Sequence, residues 1–175
     1  MTGNIFPYRN CLPKIAGDAF IAPTATVIGD VEIGARSGIW FGVVIRGDVN
    51  EIRIGERTNI QDNTVIHVTR NGLGTYIGNG VTVGHLAVLH ACTLEDGSFV
   101  GMKATVMDGV VVEGGAMVGA GALVTQGRRV KRGQLWAGSP ACHVRDLTRE
   151  EREFLPDTNA HYVDLAAEYL AALKK

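Results

Sequence analysis

Aliphatic residues recur at every sixth position through most of this chain. The beat runs Ile15, Ile21, Val27, Ile33, Ile39 and Ile45, then Ile54, Ile60 and Ile66, then Ile77, Val83 and Leu89. It closes as Leu94, Val100, Val106, Val112, Val118, Val124, Val130 and Trp136. Neither a helix nor an alternating strand has that period. It predicts an all-β fold, a parallel β-helix of hexapeptide repeats in which each hexad buries one inward residue and three hexads close a triangular coil. The hexads amount to roughly seven coils, which at about 4.8 Å each form a prism on the order of 30 Å long.

A small residue tends to follow the inward one, as at Gly34, Gly55, Gly78, Gly84, Gly101 and Gly119, where the chain is expected to turn closely. Small or β-branched residues such as Ser37, Thr58, Thr64, Ala87 and Ala104 come four positions after it and suit short strands stacked between coils. Residues 1–14 read as a lead-in capping the first coil, with Phe6, Tyr8 and Leu12 as covering groups. The prism is expected to stop at Trp136–Ala141. Beyond it, Thr148-Arg-Glu-Glu151 is a capping-box pattern opening a short helix that ends near Leu155-Pro156. A second helix is predicted over 159–173, its apolar face made by Tyr162, Leu165, Ala166, Tyr169 and Leu173. The division is thus a β-helix domain with its lead-in over 1–145 and a helical clasp over 146–175.

Composition narrows the function more by exclusion than by suggestion. A net charge of -1 offers no basic face for nucleic acid or an anionic membrane, and the four cations Arg128, Arg129, Lys131 and Arg132 read as a solvated coil edge. No apolar run approaches the length of a membrane span. Three widely spaced cysteines, Cys11, Cys92 and Cys142, argue against a disulfide framework and make a reducing cytoplasm the default. Cys92 reads as a small buried thiol at a strand position, and Met102 and Met107 as gap-fillers near the core.

The beat slips in three places: between Ile45 and Ile54, between Ile66 and Ile77, and between Leu89 and Leu94. His67, His85 and His90 all lie inside that disturbed stretch, and a sequence that breaks its own structural rule usually does so for function. Imidazole suits zinc and its neighbours, and three protein ligands leave a position open for water. His67 precedes His85 by one nominal coil, but the insertion around Asn71–Gly74 shifts the register, so spacing alone does not stack them. Upstream, Arg46, Asp48, Asn59, Gln61 and Asp62 fit either a solvated ladder of corner residues or a shell that orients the histidines and a bound water.

The run Ile45-Arg-Gly-Asp48, Thr58-Asn-Ile-Gln-Asp62, His67, Gly84-His85 and Leu89-His90 resembles the γ-class carbonic anhydrases, and the resemblance extends over nearly the whole chain. It implies a left-handed β-helix, a hand that the general preference for right-handed crossovers would not supply. It further implies a homotrimer with the metal between subunits, His67 and His90 from one and His85 from its neighbour. Arg46 and Asp48 would then lie at the interface, with Asp62 behind the ligands. Gln61 would lie beside the catalytic water, with Asn59 in the same group. Zinc is the default metal, with iron or cobalt as alternatives. The reaction implied is reversible hydration of carbon dioxide to bicarbonate by hydroxide on the metal. The chain departs from the founding pattern at proton removal: Thr69–Tyr76 contains no acid, and Val49 stands where a second glutamate is expected. Glu51 or Tyr162 would have to substitute. Competing readings are a hexapeptide-repeat acyltransferase, a metal-dependent CoA thioesterase, and a catalytically silent metal-binding scaffold.

Overall fold

The computed structural model describes residues 3–173. The chain winds into stacked coils. β1 (Asn4–Phe6) and β2 (Lys14–Ile15) begin the stack, followed by β3 (Phe20–Ile21) with β4 (Thr26–Ile33), and β5 (Gly38–Ile39) with β6 (Val44–Ile54). Then come β7 (Asn59–Ile60), β8 (Val65–His67) and β9 (Thr75–Ile77), and β10 (Thr82–Val83), β11 (Val88–His90) and β12 (Thr93–Leu94). β13 (Phe99–Val100), β14 (Thr105–Val106) and β15 (Val111–Val112) form the next coil, and β16 (Met117–Val118), β17 (Leu123–Val124) and β18 (Arg129–Val130) the last complete one. The result is a β-solenoid of about seven turns with three parallel faces.

One face stacks the N-terminal halves of β4 and β6 with β8, β11, β14 and β17. A second stacks the C-terminal halves of the same two strands with β9, β12, β15 and β18. The third is β3, β5, β7, β10, β13 and β16. Each strand pairs in register with its counterpart one coil on, so the sixth-position aliphatics form one continuous column. From Ile21 to Val130 every residue of the beat is buried, each worth about 1.5–3 kcal/mol relative to exposure.

The residues beside that column do different work from the expected one. Gly34 and Gly55 do not serve the turn, since neither has a left-handed backbone. A Cβ on Gly34 would lie 2.6 Å from the carbonyl carbon of Gly55, so glycine is needed because the next coil's backbone passes there. Ser37, Thr58 and Thr64 are buried at corners just before strands. Their hydroxyls donate to the carbonyls of Gly55 (2.7 Å), Gly78 (2.7 Å) and Gly84 (3.1 Å) one coil away.

At the start, Phe6 and Leu12 are 51% and 58% exposed and do not cap the core. β1 is already a strand of the prism, stacking Ile5 on Val27. At the far end β19 (Gln134–Gly138) continues the third face, and β20 (Ala141–Asp146) folds back on it antiparallel with a bulge between Leu135 and Trp136.

A single helix, α1 (Arg149–Ala172), replaces the two expected. Thr148 and Glu151 form the capping box that opens it. Pro156 lies inside it, on the exposed side, where water can satisfy the carbonyl that loses its N–H partner. Leu155, Asn159, Val163 and Ala166 are buried at helical spacing on both sides of the proline, and this continuous face holds one helix against the prism. The helix lies on the third face, where Trp40 packs edge-on against Tyr162 (5.5 Å) and Tyr169 (5.4 Å). Tyr162 and Leu165 pack against the core as expected, whereas Leu173 is exposed. Asn159 donates to the carbonyls of Arg57 (3.0 Å) and Val81 (3.3 Å), tying the helix to two coils.

Candidate metal centre

His67 ends β8 and His90 ends β11, and these two residues are directly paired across neighbouring coils. The insertion after β8 lengthens that coil, so His67 aligns with His90 and not with His85. The ring nitrogens His67 Nδ1 and His90 Nε2 face each other at 3.3 Å. His85 sits in the corner between β10 and β11, at the opposite edge of the same face. Among the described residues no group of three or more His, Cys, Asp or Glu side chains is arranged to hold a metal within one chain.

Each of the three imidazoles is backed by an aspartate. His67 Nε2 lies 3.1 Å from Asp48, His85 Nδ1 2.7 Å from Asp62, and His90 Nδ1 3.0 Å from Asp108. A ring nitrogen facing a carboxylate at that distance carries the proton and donates it. Burial alone would raise the Asp48 carboxyl, but bonds from Arg46 and His67 outweigh it and hold it below the usual carboxylate range. Asp108 is likewise pushed up by burial and brought below its ordinary value by Thr69 and His90.

The aspartates therefore fix the tautomers: His67 Nδ1 and His90 Nε2 are left as lone pairs pointing at one another. Two lone pairs facing each other at 3.3 Å are an arrangement that a shared metal cation could bridge. The separation matches the roughly 3.3–3.4 Å edge between two nitrogens that each lie about 2.0–2.1 Å from a tetrahedral zinc. His85 keeps Nε2 free in the same way.

Asn59 and Gln61 are 1% and 5% exposed, so neither belongs to a solvated corner ladder. Gln61 Nε2 donates to Asn59 Oδ1 (3.1 Å), and Asn59 Nδ2 donates to Thr82 Oγ1 (2.9 Å). This chain orients the Gln61 carboxamide and leaves its carbonyl oxygen free to accept. Gln61, His85 and Tyr162 line a chamber of about 280 Å³ whose apolar walls include Phe99, Met117 and Phe154. Met102 opens onto the same chamber and is 54% exposed, so it does not fill the core. Burial raises the Tyr162 hydroxyl above its ordinary value, with the nearby Asp62 charge adding to the effect. Glu51 is occupied elsewhere, accepting from Tyr76 (2.7 Å) and pairing with Arg53 (2.8 Å).

Asp108 is absent from the sequence reading. It lies in an undisturbed hexad, and because β11 and β14 pair at an offset of 17 residues it stands one residue beyond the position in register with His90, so no regular spacing marks it. Cys92 is buried, in the corner between β11 and β12 and not in a strand, and burial pushes its thiol up to about 12.

No protein-family model matches the chain. Over 159 residues it is 52% identical to mitochondrial γ carbonic anhydrase 2 of Arabidopsis thaliana, which covers 88% of this chain but 57% of that protein's own length. The chain thus spans less than two thirds of this plant relative. It is 42% identical over 167 residues to a carbonic anhydrase of Geobacillus kaustophilus, covering 95% of this chain and 91% of that one. The crystal structure of a hexapeptide transferase family protein from Anaplasma phagocytophilum superposes with a TM-score of 0.92 at 48% identity, covering 97% and 99% of the two chains. The solenoid, the three aspartate-backed histidines and the bacterial relatives matched over nearly their full length agree: this chain belongs to the γ-carbonic anhydrase-like hexapeptide-repeat family.

Proposed function

We propose that this protein is a metal-dependent carbonic anhydrase that hydrates carbon dioxide reversibly to bicarbonate. In this reading it works as a homotrimer whose sites lie between subunits, with His67 and His90 from one chain and His85 from the next. The observation that carries the reading is the pair of opposed lone-pair nitrogens, each locked by an aspartate, at the spacing a tetrahedral cation requires. The third aspartate-backed imidazole stands at the other edge of the same face, where a neighbouring prism would meet it. Zinc is the default by donor type, and ferrous iron or cobalt are served by the same donors. When bound, such a cation lowers the pKa of a coordinated water toward neutrality.

The chain's own residues supply the rest. Gln61, held by Asn59, presents a carbonyl oxygen that accepts a hydrogen bond from the attacking water and aims its free lone pair. Arg46 and Asp48 pair at the edge of the site, and that pairing keeps Asp48 charged behind His67. The apolar chamber beside His85 favours a non-polar substrate. Proton removal is the slow point, because the 69–76 segment has no acid, Glu51 is engaged, and Tyr162 holds its proton more tightly than a free tyrosine. In this reading Tyr162 walls the chamber more than it carries protons. The chamber's size also favours a second reading, hydrolysis of a small acyl ester or thioester by the same nucleophile.

Stopped-flow carbon dioxide hydration tests the proposal, on protein of verified metal content loaded separately with zinc and, anaerobically, with ferrous iron. Activity well above the metal-free control is expected. Full metal occupancy with no hydration would overturn it and leave the ester hydrolase or the silent scaffold.

A further inference from the structure

A large cavity lies away from the histidines, in the seam between α1 and the corner that joins the second and third faces, with a volume of about 720 Å³. Its floor is a column of residues holding the same place in successive coils: Arg36, Arg57, Gly80, Gly97, Gly115 and Gly133. All six have left-handed backbones, a region bulky side chains rarely enter, and yet the first two are arginines. A Cβ placed on Gly97, Gly115 or Gly133 would meet nothing within 4 Å, so bare backbone faces the groove there. The outer wall is apolar, made by Leu155, Pro156, Ala160 and Val163 of α1.

Several charges in this groove lack internal partners among the described residues. Arg53, Arg129, Arg145 and Arg149 each hold a carboxylate, and Arg152 donates to the Leu147 carbonyl. The guanidinium groups of Arg36, Arg57 and Arg132 make no hydrogen bond or ion pair among the described residues. Of the acids lining the groove, Asp96 is committed to Asn79, accepting from its backbone N–H at 2.7 Å, which leaves Asp164 against three free cations. Planar guanidinium forks one coil apart match the oxygens of a phosphate group. The glycine strip beyond them is on the order of 14 Å long at one coil per ~4.8 Å, room for a flat apolar body.

We propose that this groove binds a phosphorylated organic ligand of the nucleoside diphosphate type, its phosphates on Arg36 and Arg57 and its base on the glycine floor against α1. The site is independent of the metal reading. It opens on the corner opposite the face that carries the histidines.

Isothermal titration calorimetry with ADP tests this, with inorganic pyrophosphate as the charge-only comparison. Saturable binding of ADP is expected, about tenfold or more tighter than pyrophosphate. The double variant Arg36→Ala/Arg57→Ala is expected to weaken ADP about tenfold or more. Ala160→Trp, which fills the slot and removes no charge, is expected to weaken it comparably. Arg149→Ala, on the same helix but outside the groove, is expected to change nothing. The absence of saturable binding at millimolar ADP, equal affinity for pyrophosphate, or an equal loss in Arg149→Ala would overturn the proposal. The surface double variant keeps the test decisive if Ala160→Trp disturbs the helix. Carbon dioxide hydration by the double variant is expected to match the unsubstituted protein, so failure of either reading is visible separately.

Discussion

Asp108 holds His90 Nδ1 and is itself held by Thr69, so two side chains from two other coils set one imidazole. Asp108→Asn keeps the shape and removes the charge. It is expected to lower metal affinity about 10–100-fold, read by competition with a chelator of known strength, while the fold survives. Unchanged affinity would mean that the aspartate does not orient the ligand. The histidine trio was legible in the sequence because it coincides with the slips of the beat. Asp108 was not, because it sits in a regular hexad and becomes a partner only when the coils stack. Which histidines meet was also hidden. The loop between β8 and β9 lengthens one coil, so the spacing that brings His67 onto His90, and Asp62 onto His85, is 23 residues.

At the scale of elements, the strands were legible almost residue by residue, since a period of six admits one inward position per hexad and each of those positions is filled by an aliphatic group. The helix was less so. A proline in mid-sequence argues for two helices when only local backbone preference is weighed. The buried face running from Leu155 to Ala166 and the aromatic cluster around Trp40 decide otherwise. The helix start is pH-sensitive. Arg145 and the Thr148 N–H together depress the Glu151 carboxyl to about 2. A depressed carboxyl adds stability above the unfolded pKa of about 4.3, and that contribution is lost as pH falls from there toward the folded value. Because the pair is partly exposed, the effect is modest. Glu151→Gln is expected to melt below the unsubstituted protein at pH 6 and to converge with it near pH 2, measured by circular dichroism melts across that range. A constant gap down to pH 2 would remove Glu151 from the account.

For the whole molecule, the separation of His85 from the His67–His90 pair within one chain makes a shared site testable by complementation. His85→Ala and His90→Ala proteins are each expected to assemble without metal. Mixed and refolded in equal amounts, they are expected to regain metal at about a quarter of their interfaces, since only one order of neighbours restores a full ligand set. No recovery in mixed trimers would mean that the three histidines do not share a site across the interface.

A solenoid has no intrinsic last coil, because each turn leaves an unpaired row of N–H and C=O groups that can template another. Here the reversal of β20 onto β19 answers the final row of the third face with a strand running the wrong way for propagation. The bulge beside Trp136 twists that edge, and Arg145 and Asp146 place charge along it. On that face the stack is therefore ended by a few residues that do not repeat. A chain lacking them would present to its own copies the same surface that each coil presents to the next, and the motif that builds a discrete molecule would build a fibre.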